Sequence, residues 1–394
     1  MKIFVFEYAS AGGADKTHLL TEGYGMLRSV CDSLSSAGHE VHTLLDPRIS
    51  KLGIKPPADK VEICSSPWEM ERVLSHVDAC VPIAPDSVLY DITKMIEAET
   101  SLIGCSPKSV SSCSNKNETY ELVSNMAKHF DVPEYESLPL DVDAVMGYCD
   151  KIGFPVVIKP IDGAGCDGIS MIGSNEKIPD AIKKVSEASK ASELIVQKFC
   201  EGRHMSCSII CSKSHVLPVS INSQRIEIAE KIRYLGGVSP HPSAHKEEIF
   251  EESRRIAKKL RLFGFVGIDL VVSRDKIFFM EINPRITTPF IALSGITQLG
   301  ELLIDCLDDS LPSTINLRGF GAVAILPLKK GCAHIEYKKL QQIPRLISPP
   351  FPMGNRFIQD ASKVLISVHD QSLSGIANEI DGVKKKLLKA GITC

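Results

Sequence analysis

The sequence predicts an α/β region with a parallel sheet at the N-terminus, followed by a larger α+β region. Three observations support this fold class. Residues 1–110 alternate strand and helix signals with short glycine stops, which is typical of a doubly wound parallel sheet. Two apolar runs, 267–271 and 278–285, read as neighbouring strands that each carry a carboxylate. At 394 residues, the chain is long enough for two or three domains.

The bulk composition excludes several classes of protein. A hydrophobic share of 44% and a charged share of 24% are those of an ordinary globular protein and exclude disorder. The formal net charge is −3 and the basic residues are dispersed, so no basic surface for nucleic acid is predicted. No apolar run reaches the roughly 18 residues of a membrane span, and the N-terminal strand does not read as a signal peptide. We therefore expect neither a nucleic-acid nor a membrane partner.

The cysteines and histidines do not form a recognisable metal or catalytic motif. The 13 cysteines are odd in number, dispersed, and without a Cys-x-x-Cys pair. Free thiols in a reducing compartment explain them most simply, so we expect a cytoplasmic protein. Cys207 and Cys211 lie on one face of a predicted strand, which suits zinc poorly. His241 and His245 are separated by a proline, which argues against a helix that presents both to a metal.

In the N-terminal region, each strand is followed by a loop or helix. The predicted elements are a strand at 3–6, a glycine loop at 10–13, a helix at 24–37, strands at 41–45 and 79–83, and a helix at 87–100. The first loop lacks the G-x-G-x-x-G fingerprint, so NAD binding is not supported. Ligands of such sheets bind at the carboxyl ends of the strands, which makes Glu7, Tyr8 and Ser10 candidate substrate residues. Packing or turn formation is the alternative role for them.

Beyond residue 107 the strands and helices no longer alternate regularly. The predicted helices are 118–130, 177–190, 247–262, 300–307 and a lysine-rich terminal helix; the predicted strands are 156–160, 169–172, 194–198, 205–210, 216–220, 322–326 and 364–368. The polar stretch 222–240 is rich in glycine and proline. It is predicted to line the substrate site through Arg225 and Tyr234, with a surface loop as the alternative.

The two acidic strands predict a metal site. Glu281 and Asn283 are two residues apart and so project to the same side of one strand. Asp269 can meet them from the neighbouring strand. Carboxylate and amide oxygens suit a hard cation such as Mg²⁺, which also keeps water and substrate phosphates as ligands. The alternative is a pair of amphipathic strands whose acidic residues face water.

A glycine-rich loop follows Lys159, which ends a predicted buried strand. Gly163, Gly165 and Gly168 allow backbone N–H groups to approach phosphate oxygens, and Lys159 supplies a positive charge to the same phosphates. The loop is not a Walker motif, since it leads into a strand rather than a helix. We interpret it as a hairpin flap over phosphates; a hairpin turn without a ligand is the alternative.

The strand that ends at Lys198 offers a candidate nucleotide contact. Gln197, Lys198 and Phe199 can present backbone groups to an adenine edge, and Glu201 can accept hydrogen bonds from ribose hydroxyls. A turn of no function is the alternative.

Arg285 follows Asn283 by two residues and so projects beside it. Its planar guanidinium binds oxyanions through two hydrogen bonds, so we expect it to hold a carboxylate or acyl phosphate.

Taken in order, these motifs resemble the ATP-grasp superfamily. The residues that carry the resemblance are Lys116, Lys159-Pro160, the glycine flap, Gln197–Glu201, Asp269, Glu281, Asn283 and Arg285. It implies an ATP-grasp fold behind a Rossmann-like N-terminal domain. In such a fold Lys116 and Lys159 contact the phosphates, and two Mg²⁺ or Mn²⁺ ions bind the acidic cluster. His204 departs from the pattern, since many members carry an acidic residue there.

The resemblance also implies domain boundaries. They are 1–106 for the N-terminal domain, 107–310 for the ATP-grasp domain and 311–394 for a C-terminal extension that packs on it. Within the second domain, the flap-bearing lobe is about 115–200 and the metal-binding lobe about 201–310.

Within the superfamily, three segments resemble the archaeal tyramine–glutamate ligases of methanofuran biosynthesis. They are residues 6–13, the Tyr234-Leu235-Gly236-Gly237 loop and the C-terminal extension. The resemblance implies an ADP-forming ligase that joins the γ-carboxylate of L-glutamate to the amine of tyramine through an acyl phosphate. Small-molecule substrates are thus expected. The sequence leaves homo-oligomerisation open.

Three alternatives remain at this point. A ligase for another pair of amino acid and amine would share every catalytic residue. A biotin-dependent carboxylase would use bicarbonate, and no biotinyl Met-Lys-Met segment is present. A non-catalytic nucleotide-binding module is expected to have lost a metal ligand or a phosphate lysine, and both are retained here.

Overall fold

The computed structural model describes residues 1–13, 17–162, 166–229, 232–328, 337–351 and 363–393. Its strands are Lys2–Glu7, Glu40–Leu45, Lys60–Ile63, Ala79–Ile83, Ser101–Leu102, Phe130–Asp131, Tyr135–Pro139, Val156–Pro160, Ser170–Ile172, Glu193–Lys198, Arg203–Cys211, Val216–Ser223, Ile226–Ile228, Ile232–Tyr234, Gly236–Ser239, Gly264–Val272, Ile277–Asn283, Phe320–Pro327, Leu346–Ser348 and Lys363–Asp370. Its α-helices are Thr17–Ser36, Pro47–Ser50, Glu71–Leu74, Asp86–Glu99, Pro107–Ser114, Lys116–Met126, Val142–Ile152, Ile178–Ala188, Lys246–Leu260, Pro289–Leu293, Leu299–Leu307, Tyr337–Leu340 and Leu373–Lys389.

The N-terminal region forms the expected parallel sheet. Five strands lie in the order Lys60–Ile63, Glu40–Leu45, Lys2–Glu7, Ala79–Ile83 and Ser101–Leu102, and every neighbouring pair is parallel. The central strand is fully buried from its second residue on, as a strand covered on both faces must be. The carboxyl ends of the strands therefore meet at one edge of the sheet, the edge where Glu7 ends the first strand.

The first long helix begins earlier than the sequence predicted. It covers Thr17–Ser36 rather than 24–37. Gly23 and Gly25 lower the helix propensity of the first turns, and for this reason those turns were not predicted as helix. Both glycines have a packing role. A Cβ on Gly23 would lie 2.5 Å from the Glu7 carboxylate, and one on Gly25 would lie 3.2 Å from Ile291 and Leu365.

The flap-bearing region is a separate antiparallel sheet. Its four strands run in the order Tyr135–Pro139, Glu193–Lys198, Val156–Pro160 and Ser170–Ile172. Two helices cover it, and together they enclose a hydrophobic core of their own. The helix predicted at 118–130 ends at Met126, because the chain turns there and Phe130 enters the next sheet as a short strand.

The predicted acidic strands lie in a third, mainly antiparallel sheet. Its order is Val216–Ser223, Arg203–Cys211, Gly264–Val272, Ile277–Asn283 and Phe130–Asp131. Helix Lys246–Leu260 packs on it. One hydrophobic core runs without a break from this sheet to the N-terminal one, and includes Phe4, Phe6, Ile209, Ile268 and Phe279.

The stretch 222–240 is not the surface loop that the sequence analysis gave as the alternative to a substrate-lining role. It contains the hairpin Ile226–Ile228 and Ile232–Tyr234, and the strand Gly236–Ser239 pairs with Phe320–Pro327 of the C-terminal sheet. A Cβ on Gly236 would collide with the Val323 carbonyl, and one on Gly237 with that of Ser223. The two glycines therefore mark a close crossing of backbones rather than a flexible loop.

Free thiols were expected, and the 11 cysteines within the described residues are free, nine of them buried. Within the same described ranges, no helix is both long and apolar enough to cross a membrane.

We predict opposite effects for the same substitution at two helical glycines. Gly23→Ala should lower the free energy of unfolding by roughly 1–3 kcal/mol, because the added methyl group overlaps the buried Glu7 carboxylate. Gly147→Ala should raise it by about 0.5–1 kcal/mol, since this glycine lies in helix Val142–Ile152 with nothing within 4 Å of the added atom. Denaturant unfolding of both variants measures the difference. Equal effects would contradict the packing assigned to Gly23.

Candidate active site in the cleft

The two predicted acidic residues face each other across an antiparallel strand pair. Strands Gly264–Val272 and Ile277–Asn283 pair in a register that sets Asp269 opposite Glu281. The register shifts immediately afterwards, so that Met280 has no partner on the first strand. This bulge is the local irregularity that brings the two carboxylates together, and bulges commonly re-aim side chains at functional sites.

Amide side chains surround the Asp269 carboxylate. Gln224 donates from Nε2 to Oδ1 over 2.9 Å, and Asn283 donates from Nδ2 to Oδ2 over 3.1 Å. Burial raises the pKa of Asp269, and the nearby charge of Glu281 raises that pKa further. Two carboxylates thus share a partly buried site, which is unfavourable unless positive charge is close.

Positive charge is supplied to Glu281 from three directions. The ammonium of Lys116 lies 3.5 Å from Glu281 Oε2. Lys116 is held there because Asn115 caps the helix that begins at this lysine, accepting hydrogen bonds at its side-chain oxygen from two backbone N–H groups. Burial acts to raise the pKa of Glu281, but the charges of Lys116, Lys159 and Arg285 outweigh it and lower that pKa.

Lys159 lies in a buried hydrogen-bonded chain. Its ammonium donates to the Tyr120 hydroxyl over 2.6 Å, and that hydroxyl donates to Gln197 Oε1 over 2.9 Å. All three residues are buried. Burial, and then the charge of Lys116, lower the pKa of Lys159 to about 7. A phosphate placed beside this lysine would restore its charge.

Arg285 connects the acidic strand to the N-terminal sheet. Its Nε donates to Asp86 Oδ1 over 3.1 Å, and one terminal nitrogen donates to Asn283 Oδ1 over 3.2 Å. Asp86 is the first residue of helix Asp86–Glu99. Both members of the ion pair are largely shielded from water, with 14% and 13% of their side chains exposed. The guanidinium is therefore fixed in orientation before any ligand arrives.

These groups line one cleft of about 760 Å³ between the sheets. The predicted site residues among its lining are Glu7, Lys116, Lys159, Gly168, Gln197, Phe199, Tyr234, Asp269, Glu281, Asn283 and Arg285.

The comparison with known families agrees with this geometry. A family model described as an ATP-grasp domain matches residues 113–289. The chain contains an ATP-grasp domain.

Two curated relatives are similar over most of the chain. The tyramine–L-glutamate ligase of Methanocaldococcus jannaschii is 27% identical over 315 residues, which cover 77% of this chain and 88% of that protein. The tyramine–L-glutamate ligase of Methanocaldococcus fervens is 28% identical over 317 residues, covering 77% of this chain and 92% of that protein.

Solved structures agree on the fold. The ADP complex of N5-carboxyaminoimidazole synthetase from Staphylococcus aureus superposes with a TM-score of 0.71 at 12% identity, covering 97% of this chain and 96% of that one. The predicted fold, an ATP-grasp domain behind an N-terminal parallel sheet, is thereby confirmed. The family match at 113–289 and the similarity to two relatives named as ligases agree with the resemblance noted in the sequence.

Several predicted residues of the ATP-grasp site lie outside the cleft lining. The Lys198 ammonium donates to the carbonyls of Ile152 and Gly153 at the end of a helix, over 3.0 and 2.8 Å. Glu201 and Arg225 are exposed. Gly163 and Gly165 fall outside the described residues, so of the three predicted flap glycines only Gly168 is placed in the cleft lining.

The turn after the first strand accounts for Glu7 and Ser10. The Glu7 carboxylate accepts hydrogen bonds from the backbone N–H groups of Ala9 and Ser10, over 3.0 and 2.6 Å. Burial raises the pKa of Glu7 to about 7. Ser10 is fully buried behind this turn. The contacts described here are those of turn formation, and a substrate role for either residue stays a prediction.

Sequence reasoning missed Gln224, Tyr120 and Asp86. Strand alternation could have indicated Gln224. It is two residues from Asn222, and Asn222 pairs with Ser206, which in turn pairs with Asp269. Alternation along the strand thus turns Gln224 toward the acidic pair and the neighbouring Arg225 away from it. No local pattern indicated Tyr120 or Asp86, since their partners are distant in sequence.

The donor set fits a divalent cation. Among the described residues no group of three or more His, Cys, Asp or Glu side chains converges, and the candidate ligands are two carboxylates and the Asn283 amide. Such a small oxygen set suits Mg²⁺, which relies on substrate phosphates and water for its other ligands. Burial, and then the charge of Glu281, raise the pKa of Asp269, and a bound cation would favour its charged form. ATP-grasp proteins in general bind ATP with divalent metal ions.

We predict that ATP binding takes up a proton at Lys159. With a pKa of about 7, Lys159 is about nine-tenths uncharged at pH 8, and a bound phosphate favours the ammonium. Calorimetry at pH 8 in buffers of different ionisation enthalpy should therefore give an uptake of up to about one proton per ATP, falling toward zero at pH 6.

Lys159→Arg is the matched variant, because arginine stays charged at both pH values. The variant should bind ATP without the proton uptake that Lys159 contributes in the wild type. Equal uptake by the variant and the wild type would contradict the assignment.

Proposed function

We propose that the protein is an ADP-forming ligase that joins the γ-carboxylate of L-glutamate to the amine of tyramine. The observation that carries this proposal is the extent of the similarity to the two tyramine–L-glutamate ligases. The alignments of 315 and 317 residues reach far beyond the ATP-grasp domain at 113–289. They therefore include regions that do not belong to the shared nucleotide-binding machinery. The product would be γ-glutamyltyramine, the amide expected of an enzyme of methanofuran biosynthesis.

The proposed roles follow from the contacts in the cleft. Lys116 and Lys159 would hold the phosphates of ATP under the flap, while Gln197 and Phe199 would lie along adenine. Asp269, Glu281 and Asn283 would hold one or two divalent cations, which would neutralise charge on the terminal phosphates. Arg285 would bind the carboxylate that is activated, because its orientation is already fixed by Asp86.

The chemistry needs activation of a poor electrophile. A glutamate carboxylate oxygen attacks the γ-phosphorus, the bond from that phosphorus to the bridging oxygen breaks, and ADP leaves with the electron pair. The acyl phosphate is then attacked by the uncharged amine. Phosphate departs, and the nitrogen loses a proton. Phosphoryl transfer of this kind depends on positioning and charge neutralisation, which buried lysines and a fixed arginine provide.

The test is an assay of the purified protein with ATP, MgCl₂, L-glutamate and tyramine. We expect ADP and phosphate in equal amounts and a product of the mass of γ-glutamyltyramine, only when both substrates are present. Hydroxylamine in place of tyramine should give glutamyl hydroxamate, which reports the acyl phosphate. AMP formation would contradict the route. A product from another acid or amine in a substrate panel would replace the proposed pair, and bicarbonate-dependent ADP release would favour a carboxylase.

We predict that Glu281→Gln lowers kcat roughly 100-fold or more, because the substitution removes a carboxylate from the proposed cation site. The matched control is Glu62→Gln, which weakens the ion pairs of Glu62 with Lys60 and Arg72 in the N-terminal region, away from the cleft. The control should keep wild-type activity. Circular dichroism and thermal unfolding of both variants check that the fold is retained. Near-normal turnover by Glu281→Gln would reject the role given to this residue.

A further inference from the structure

The Lys159 ammonium is held from the protein side by a single oxygen. Among the described residues, its one hydrogen-bond acceptor is the Tyr120 hydroxyl, over 2.6 Å. Both side chains are buried, but Lys159 lines the cleft and Tyr120 does not. An ammonium group carries three N–H donors, so two of them remain for acceptors that enter the cleft.

Lys198 shows how a lysine of the same sheet is satisfied within the protein. Its strand pairs with the strand of Lys159. The Lys198 ammonium donates to three backbone carbonyls, over 3.0, 2.8 and 3.4 Å. Such a lysine needs no acceptor from outside. Buried donors without acceptors are costly, so the arrangement at Lys159 indicates that a ligand supplies the acceptors that the protein does not.

Gln197 fixes the direction of the hydrogen bond between Tyr120 and Lys159. The Tyr120 hydroxyl has one proton, and it donates that proton to Gln197 Oε1 over 2.9 Å. The lone pairs of the hydroxyl are therefore left for the lysine. Burial raises the pKa of Tyr120, so the hydroxyl stays neutral. A neutral acceptor orients an ammonium without cancelling its charge, which a carboxylate in the same place would do.

Packing on several sides fixes the position of the Tyr120 ring. It meets the rings of Tyr135 and Phe279 edge-on, with centroid distances of 4.7 and 5.9 Å. Tyr120 lies four residues after Lys116, so both side chains project from the same face of one helix. The start of that helix is tied to the flap-bearing sheet, because the Lys116 N–H donates to the Ile161 carbonyl over 3.1 Å. The hydroxyl oxygen therefore has a fixed place behind the lysine.

We propose that Tyr120 is a positioning residue: its hydroxyl holds the Lys159 ammonium so that the two remaining N–H groups face the phosphates of ATP. This inference rests on the proposed function, which assigns Lys159 to those phosphates, and it adds a residue that acts through Lys159. Tyr120 lies behind the lysine and contacts neither the nucleotide nor the substrates.

The test compares ATP with adenosine, which has no phosphates. Tyr120→Phe removes the hydroxyl and keeps the ring. One donor of the buried ammonium then loses its acceptor, so the variant should bind ATP roughly 10- to 100-fold more weakly than the wild type. Adenosine should bind the variant and the wild type equally. Isothermal titration calorimetry with both ligands measures the difference. In turnover, the KM for ATP should rise while the KM values for the acid and the amine stay unchanged.

Two further variants separate positioning from structure. Tyr135→Phe makes the same chemical change in the ring that packs on Tyr120, but the Tyr135 hydroxyl takes no part in the contact with Lys159. This control should keep both affinities. Lys159→Met removes the ammonium. In that background, Tyr120→Phe should have no further effect on ATP binding, because the tyrosine acts through the lysine. Adenosine binding also shows that each variant is folded.

Each outcome has a distinct meaning. A purely structural Tyr120 would weaken ATP and adenosine binding alike, or would weaken ATP binding as much in Lys159→Met as in the wild type. Either result, or an unchanged affinity of Tyr120→Phe for ATP, overturns the inference and leaves the proposed function standing. If the wild type binds ATP but joins no acid to an amine, the proposed function is wrong, and the binding measurements still decide the role of Tyr120. If the wild type binds no ATP, both are overturned.

Discussion

The repulsion between two carboxylates that face each other, Asp269 and Glu281, organises this cleft. A bulged strand register brings them together, and the cost of like charges in a partly buried site has to be offset by positively charged side chains. Three positively charged side chains on separate elements do this, namely Lys116, Lys159 and Arg285, and each is held by a partner of its own. Arg285 in particular is tied through Asp86 to the N-terminal sheet, so the charge balance of the site depends on how the sheets pack.

The hydrophobic cores show which walls of the cleft are packed together. The N-terminal sheet and the acidic sheet share a core, whereas the flap-bearing sheet has its own. Tyr120 lies at the junction. Its ring belongs to the shared core and contacts Tyr135 of the flap-bearing sheet edge-on, and its hydroxyl bonds both Lys159 and Gln197. Tyr120 thus links the two walls of the cleft, together with the Tyr135 ring that packs against the shared core and the contact of Gln197 Nε2 with Met280 Sδ.

The local sequence pattern was enough to predict the two acidic strands, but not the residues from distant segments that contact them. The alternation at Glu281 and Asn283, and the apolar runs around them, predicted the strand pair correctly because period and composition are properties of neighbouring residues. The helix start at Thr17 was missed because Gly23 and Gly25 serve tertiary packing against local propensity. Asp86 and Tyr120 could not be found, since ion pairs and hydrogen bonds between distant segments leave no trace in spacing.

The crossing at Gly236 and Gly237 has a consequence for how the chain can be divided. A strand from the middle of the sequence forms the edge of the C-terminal sheet, next to Phe320–Pro327. Excising residues 311–394 would remove the partner of that edge strand and expose unpaired backbone groups beside the cleft, an arrangement that favours association with other chains. The C-terminal extension therefore cannot be exchanged as an independent unit. Any chimera with a foreign C-terminus would need one strand that accepts the close approach of Gly236 and Gly237, and a second strand, paired with the first, that supplies a lysine to the cleft.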